Sequence, residues 1–145
     1  MDLNTEMIYH SRSEEETEKL ASEIAASLQP GATVLLRGNL GAGKTVFSRG
    51  FARGLGCDDT LSSPTYTIVQ EYQLPGGARL YHMDLYRIAD SAAALGFGVD
   101  EFIDDPKAYK LIEWPERIES LLPEKCLTVE ITHQGDEERT LRITP

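Results

Sequence analysis

Cysteine is nearly absent. Cys57 and Cys126 are the only two in 145 residues, far apart and outside any metal-ligand spacing. That excludes a disulfide framework and a thiolate metal centre, and it fits two reduced thiols in an intracellular protein. Positive charge is also short: 14 Lys and Arg against 24 Asp and Glu give −10 at pH 7. So acidic a chain does not grip a phosphodiester backbone unaided. Long apolar runs are missing too, and nothing approaches the roughly 20 residues of a membrane span. The start "MDLNTEMIYHS" has neither the basic end nor the apolar stretch of a signal peptide. By elimination the expected compartment is the cytoplasm. No repeat, low-complexity tract or linker divides the chain, so one domain over 1–145 is expected. A chain of this size buries roughly 70% of its extended surface, enough for a core without disulfides.

What is present alternates between strand and helix patterns. "MIYH" reads as a short strand, and Ser13 with Glu16 forms a capping box that opens a helix. Leu20, Ile24 and Leu28, backed by Thr17, Ala21 and Ala25, form its apolar stripe. "TVLL" (33–36) is the compact apolar run of a strand buried on both faces. A glycine loop follows, then a helix from about Lys44 to Leu55. "TIVQEYQL" and "ARLYHMD" read as strands joined tightly through "PGG". "ADSAAAL" reads as a short helix capped by Asp90 or Ser91, and "AYKLIEW" as another strand. Pro115 suits the first turn of a helix that Pro123 stops. "CLTVEIT" alternates cleanly and, with "TLRI" after the Gly135-Asp136 turn, makes a C-terminal hairpin. Intermixed strands and helices predict an α/β fold around a mixed central sheet.

The glycine loop is the most specific signal. "RGNLGAGKT" (37–45) contains Gly38-x-x-x-x-Gly43-Lys44-Thr45, the full P-loop pattern, between a buried strand and a helix. Glycines let consecutive amides turn toward phosphate oxygens with no Cβ in the way. The helix start adds unpaired N–H groups and the positive dipole end. Lys44 supplies a point charge and Thr45 a hydroxyl for Mg²⁺, so Asn39, Leu40, Gly41, Ala42, Gly43, Lys44 and Thr45 are the predicted phosphate-binding residues. A magnesium–nucleotide site also wants a carboxylate at the carboxyl end of a neighbouring strand. Asp84 ends "LYHMD" and Glu113 nearly ends "YKLIEW". Mid-strand His82 reads as a core histidine. Arg49 and Arg53, one helical turn apart, read as a solvated face or a docking surface.

Together with "GNLGAGKT", the stretches "SSPTYTIVQEY" (62–72), "YHMDLYR" (81–87) and "LIEWPE" (111–116) resemble, in order and spacing, the TsaE family. These are bacterial P-loop ATPases needed to make threonylcarbamoyladenosine on transfer RNA. The resemblance covers about residues 33–116. It implies a P-loop NTPase-like three-layer fold, with ATP and Mg²⁺ as cofactors. It implies that Thr65 in "SPTY" is a switch-loop residue near the terminal phosphate and that Asp84 is a Walker-B-like acid. Glu113 becomes the direct metal ligand beside Thr45, and Trp114 a tryptophan important for activity. The family's adenine position points to "HSRSE", which contains Ser11, and to the neighbourhood of His133. After "LYRIAD" the chain is alanine-rich where the family carries an acidic, leucine-containing helix.

The expected function is a Mg²⁺-dependent ATPase, slow alone, that acts with TsaB-like and TsaD-like subunits. Transfer RNA would be met only indirectly, as the net charge requires, and no membrane is involved. A small-molecule kinase uses the same loop and metal, but basic residues for an arginine-bearing lid are sparse after Lys44. A GTP switch would need an Asn-Lys-x-Asp tetrapeptide, which is absent. A non-catalytic nucleotide-binding module also stays open.

Overall fold

The computed structural model describes residues 1–39, 41–58 and 68–145. Leu40 and Thr65 lie outside the described residues. Among the described residues seven strands form one sheet: β1 (Met7–Ser11), β2 (Thr33–Arg37), β3 (Val69–Gln73), β4 (Arg79–Asp84), β5 (Ala108–Glu113), β6 (Leu127–His133) and β7 (Arg139–Thr144). Their spatial order is β1-β7-β6-β2-β5-β4-β3. The central strands β6, β2, β5 and β4 run parallel, while β3, β7 and β1 join antiparallel at the two sides. The fold is therefore mixed α/β, as the alternating patterns predict.

Alternation along the central strands loads both faces. Val34 and Leu36 of β2, Leu111 of β5 and Ile131 of β6 pack on one side with α1 (Glu14–Ala26) and α2 (Lys44–Gly54). Leu35 and Ile112 face the other side, under α3 (Ser91–Gly96) and α4 (Val99–Ile103). That gives three layers, with β2 buried on both faces. No described helix is long and apolar enough to cross a membrane.

α1 begins as its capping box requires. The Ser13 hydroxyl accepts from the Glu16 amide at 3.1 Å, and Glu16 accepts from the Arg12 amide at 2.7 Å. Its carboxylate thus reaches one residue further back than the usual box. Leu28, expected at the end of the stripe, lies just past the helix and is half-buried. α2 crosses α1 at Gly50 and Gly54, where added Cβ atoms would stand 2.3 and 2.4 Å from the backbone oxygens of Glu18 and Ser22. Arg49 and Arg53 are less free than expected, since both reach Glu18 of α1, at 3.4 and 2.9 Å.

Two local expectations are corrected. The segment after Trp114 is not an α-helix: Pro115–Leu121 is 3₁₀, broken at Ile118. Only seven residues separate Trp114 from Leu122, and Pro123 forces Leu122 into an extended conformation (φ −72°, ψ 141°). Between "ADSAAAL" and β5 there is also a second short helix, α4, that no periodic pattern announced. Asp90 caps α3, its carboxylate accepting from the Ala93 amide at 2.9 Å.

Candidate nucleotide site

Open parallel sheets bind ligands outside the carboxyl ends of their strands, and most of the residues singled out in the sequence gather there. β2 delivers the glycine loop, β4 ends in Asp84, β5 ends in Glu113, and β6 ends in His133. Asp84 and Glu113, 29 residues apart in sequence, are direct register partners across β4 and β5. Glu113 is also the register partner of Leu36 on β2, two residues before the loop begins. The sheet order therefore converts two separate strand-end acids into one acidic edge beside the P-loop.

Gly43 caps α2 in the left-handed region, φ 103°. The Phe47 amide donates to the Gly43 carbonyl at 3.1 Å, so the helical ladder begins there. The positive end of the helix dipole therefore faces the glycine loop. Lys44 is buried, and its Nζ has no hydrogen-bond partner among the described residues. Its ammonium stands 4.1 Å from the centre of the Trp114 ring, a cation–π contact. Burial pulls its pKa below the ordinary lysine value, while the negative charges of Glu113, Asp84 and Glu116 hold the proton on. A buried cation without acceptor oxygens suits a polyanionic ligand.

Glu113 is itself 4% exposed, and its Oε2 lies 2.6 Å from His82 Nε2. Alternation puts His82 and Asp84 on the same face of β4. His82 is thus a core histidine, as read from the sequence, and also the partner that fixes the Glu113 carboxylate. Trp114 holds a left-handed backbone (φ 60°, ψ 48°), which is unusual for a bulky residue and costs of order 1–3 kcal/mol. It is packed between Lys44 and the Tyr86 ring, whose centre is 5.0 Å away. That strained position lays the indole over the lysine.

A cleft of about 600 Å³ opens on the β6 side of the loop. Asn39, Gly41 and Ala42 line one wall, His133 the other, and Trp114 joins it from the acidic side. His133, at the end of β6, thus shares a cleft with the glycine loop. Ser11 does not line this cleft: it is buried, with its hydroxyl donating to Ser13 and paired with Thr17 at 2.6 Å. Thr45, the second residue of α2, is exposed next to Lys44. Among the described residues no three His, Cys, Asp or Glu side chains cluster to hold a metal. Magnesium is commonly held by one or two carboxylates with substrate phosphates and water, and Thr45 with Glu113 fits that sparse donor set.

No sequence pattern marks Arg139. It opens β7 as the register partner of His133, and its Nε donates to the Ala42 carbonyl at 2.7 Å. A lone arginine after an acidic turn has no spacing that marks it.

Asp84 carries a pH prediction. Burial raises its pKa above the ordinary aspartate value and the Glu113 charge adds to this, while the Tyr86 amide, His82 and Lys44 oppose it. A raised acid favours its protonated form on folding, so ionised Asp84 costs stability. That cost is absent below the unfolded pKa, about 3.9, and is fully present above the folded value. Asp84→Asn should therefore raise Tm at pH 7.5 in EDTA, and the gain should vanish as pH falls toward 4. Thermal melts across that range check it; a pH-independent gain would assign the effect to packing.

The family model for the threonylcarbamoyl adenosine biosynthesis protein TsaE matches residues 11–141. The tRNA threonylcarbamoyladenosine biosynthesis protein TsaE of Bacillus subtilis is 44% identical over 130 residues, covering 90% of this chain and 80% of that protein. The protein of the same name from Treponema pallidum is 36% identical over 92% of this chain and 96% of its own length. The crystal structure of Bacillus subtilis YdiB is similar with a TM-score of 0.76 and 36% identity, over 99% of this chain and 87% of that one.

Proposed function

Since the chain belongs to the TsaE family, we propose that it is a single-domain, Mg²⁺-dependent ATPase of tRNA threonylcarbamoyladenosine biosynthesis. One observation carries the ATPase reading. The buried Lys44 ammonium, with no hydrogen-bond partner among the described residues, stands at the start of α2 beside the adjacent strand-end acids Asp84 and Glu113. Loop amides and Lys44 would hold the β- and γ-phosphates, and the base would lie in the cleft against His133. Thr45 and Glu113 would hold Mg²⁺, which when bound neutralises charge on the phosphates. Asp84, half-buried and beside the loop, would orient the attacking water, and Thr65 would sense the γ-phosphate. Trp114, over Lys44, would keep solvent from the ammonium. Transfer of the phosphoryl group to water needs position and charge from the protein rather than a covalent step.

Sites of this kind turn over at on the order of 10⁻⁴ per second without an arginine finger and about 10⁻² with one in cis. Slow hydrolysis alone and stimulation by TsaB-like and TsaD-like partners follow, with transfer RNA met through those partners because the chain carries −10. The cytoplasm is the corresponding compartment. Lys44→Ala should weaken Mg-ATP binding at least about a hundredfold, because a charge-assisted contact to phosphate is lost. Calorimetric titration alongside phosphate release, with and without the partners, tests the reading. Unchanged affinity in Lys44→Ala, or a phosphorylated metabolite in place of free phosphate, would overturn it.

A further inference from the structure

We propose that Arg139 is a positioning residue of the nucleotide site, acting through the Ala42 carbonyl of the glycine loop. The inference rests on the ATPase reading above and extends it to a residue at the far end of the chain.

Among the described residues the guanidinium makes three hydrogen bonds. Nε donates to the Ala42 carbonyl at 2.7 Å, and Nη1 donates to the carbonyls of Asp136 and Glu138, each at 2.9 Å. The last two would be enough to stiffen the β6–β7 turn. The first contributes nothing to that turn and spans 97 residues of sequence to reach the loop.

Its consequence follows from the planar trans peptide. The Ala42 carbonyl and the Gly43 N–H belong to one rigid unit and point in opposite directions. Holding the carbonyl on Arg139 therefore aims the Gly43 N–H away from the guanidinium. Position 43 itself suits glycine. φ is 103° there, and a Cβ would lie 3.0 Å from Arg139 Nε. Arginine and glycine fit as a pair, with the guanidinium occupying the side of the loop that a side chain would fill.

Arg139 also reaches the other wall of the cleft. His133 Nε2 shares the Asp136 carbonyl, at 3.2 Å, in the tautomer that donates from Nε2. One side chain thus ties the orientation of a phosphate-loop amide to the turn that carries His133. Loss of its fork should loosen both walls together.

The test uses the full chain as wild type, Arg139→Gln and Arg139→Lys. Mg-ADP and inorganic tripolyphosphate are titrated by calorimetry at 15 °C, and hydrogen exchange of the 41–46 amides is followed without nucleotide. Arg139→Gln should bind both probes about tenfold more weakly, the loss of one charge-assisted hydrogen bond, with faster exchange in the loop. Arg139→Lys, which keeps the charge and loses the fork, should fall between. A purely structural staple would lower Tm and leave affinity at 15 °C unchanged. Wild-type affinity and exchange in Arg139→Gln would overturn the proposal, and if that variant does not fold, the same result in Arg139→Lys would do so. Failure of wild type to bind Mg-ADP would instead remove the ATPase reading, and with it the site that Arg139 serves.

Discussion

Glu113→Gln is expected to reduce phosphate release at least about a hundredfold while leaving ADP binding in EDTA intact. The substitution keeps side-chain volume, and the amide can still hydrogen-bond His82 Nε2, 2.6 Å from the present carboxylate. The packing of β4 against β5 should therefore survive. What disappears is a buried negative charge beside Lys44, and with it the carboxylate assigned to Mg²⁺. Metal-ion stabilisation of a transferring phosphoryl group supplies several kcal/mol, and each 1.4 kcal/mol is a factor of ten in rate. Binding without metal should hold or tighten, because a like charge near the phosphates is gone. Steady-state phosphate release and calorimetry with and without Mg²⁺ separate the two effects. Unchanged hydrolysis would take Glu113 out of the metal site and leave Asp84 as the carboxylate there.

The parts of this site that sequence reveals are the local ones. A P-loop is legible because its glycines, lysine and threonine act on the same few atoms within eight residues. Asp84 and Glu113 are legible as acids at strand ends, but their adjacency depends on β4 pairing with β5 in a particular register, and sheet order is a non-local property. The bond between His82 and Glu113 has the same origin. Mid-strand histidine reads correctly as core, while its partner 31 residues away is invisible until the strands are aligned. Ser11 shows the reverse error: the segment is near the hairpin, but β1 directs that hydroxyl into α1's first turn rather than into the cleft. Arg139 was hidden because its acceptor is a backbone carbonyl, which any residue could provide. The segment after Pro115 misled because proline signals a helix start equally well for α and 3₁₀ geometry, and the brake at Pro123 is felt only through Leu122.

Gly50→Ala is expected to lower Tm by about 4–8 °C, against the rule that alanine improves a helix. In an exposed helix the exchange gains about 1 kcal/mol. Here α1 and α2 cross so closely that the new Cβ would lie 2.3 Å from the Glu18 oxygen and 2.6 Å from its Cα. Those are backbone atoms of a packed helix, so relief requires the two helices to separate. Overpacking of this kind costs about 3 kcal/mol, and a domain of this size loses about 2–4 °C per kcal/mol. The Arg49 and Arg53 pairs with Glu18 do not hold the crossing, since ion pairs this exposed contribute little. Glu18→Ala should accordingly move Tm by no more than about 2 °C. Gly96→Ala in α3 is the matched control, because a Cβ there meets nothing within 4 Å; it should leave Tm unchanged or slightly raised. α2 begins at Lys44, so parting it from α1 should also weaken Mg-ADP binding in Gly50→Ala. Thermal melts with a titration at 15 °C measure both, and equal melting of Gly50→Ala and Gly96→Ala would show that the close crossing does not constrain the fold.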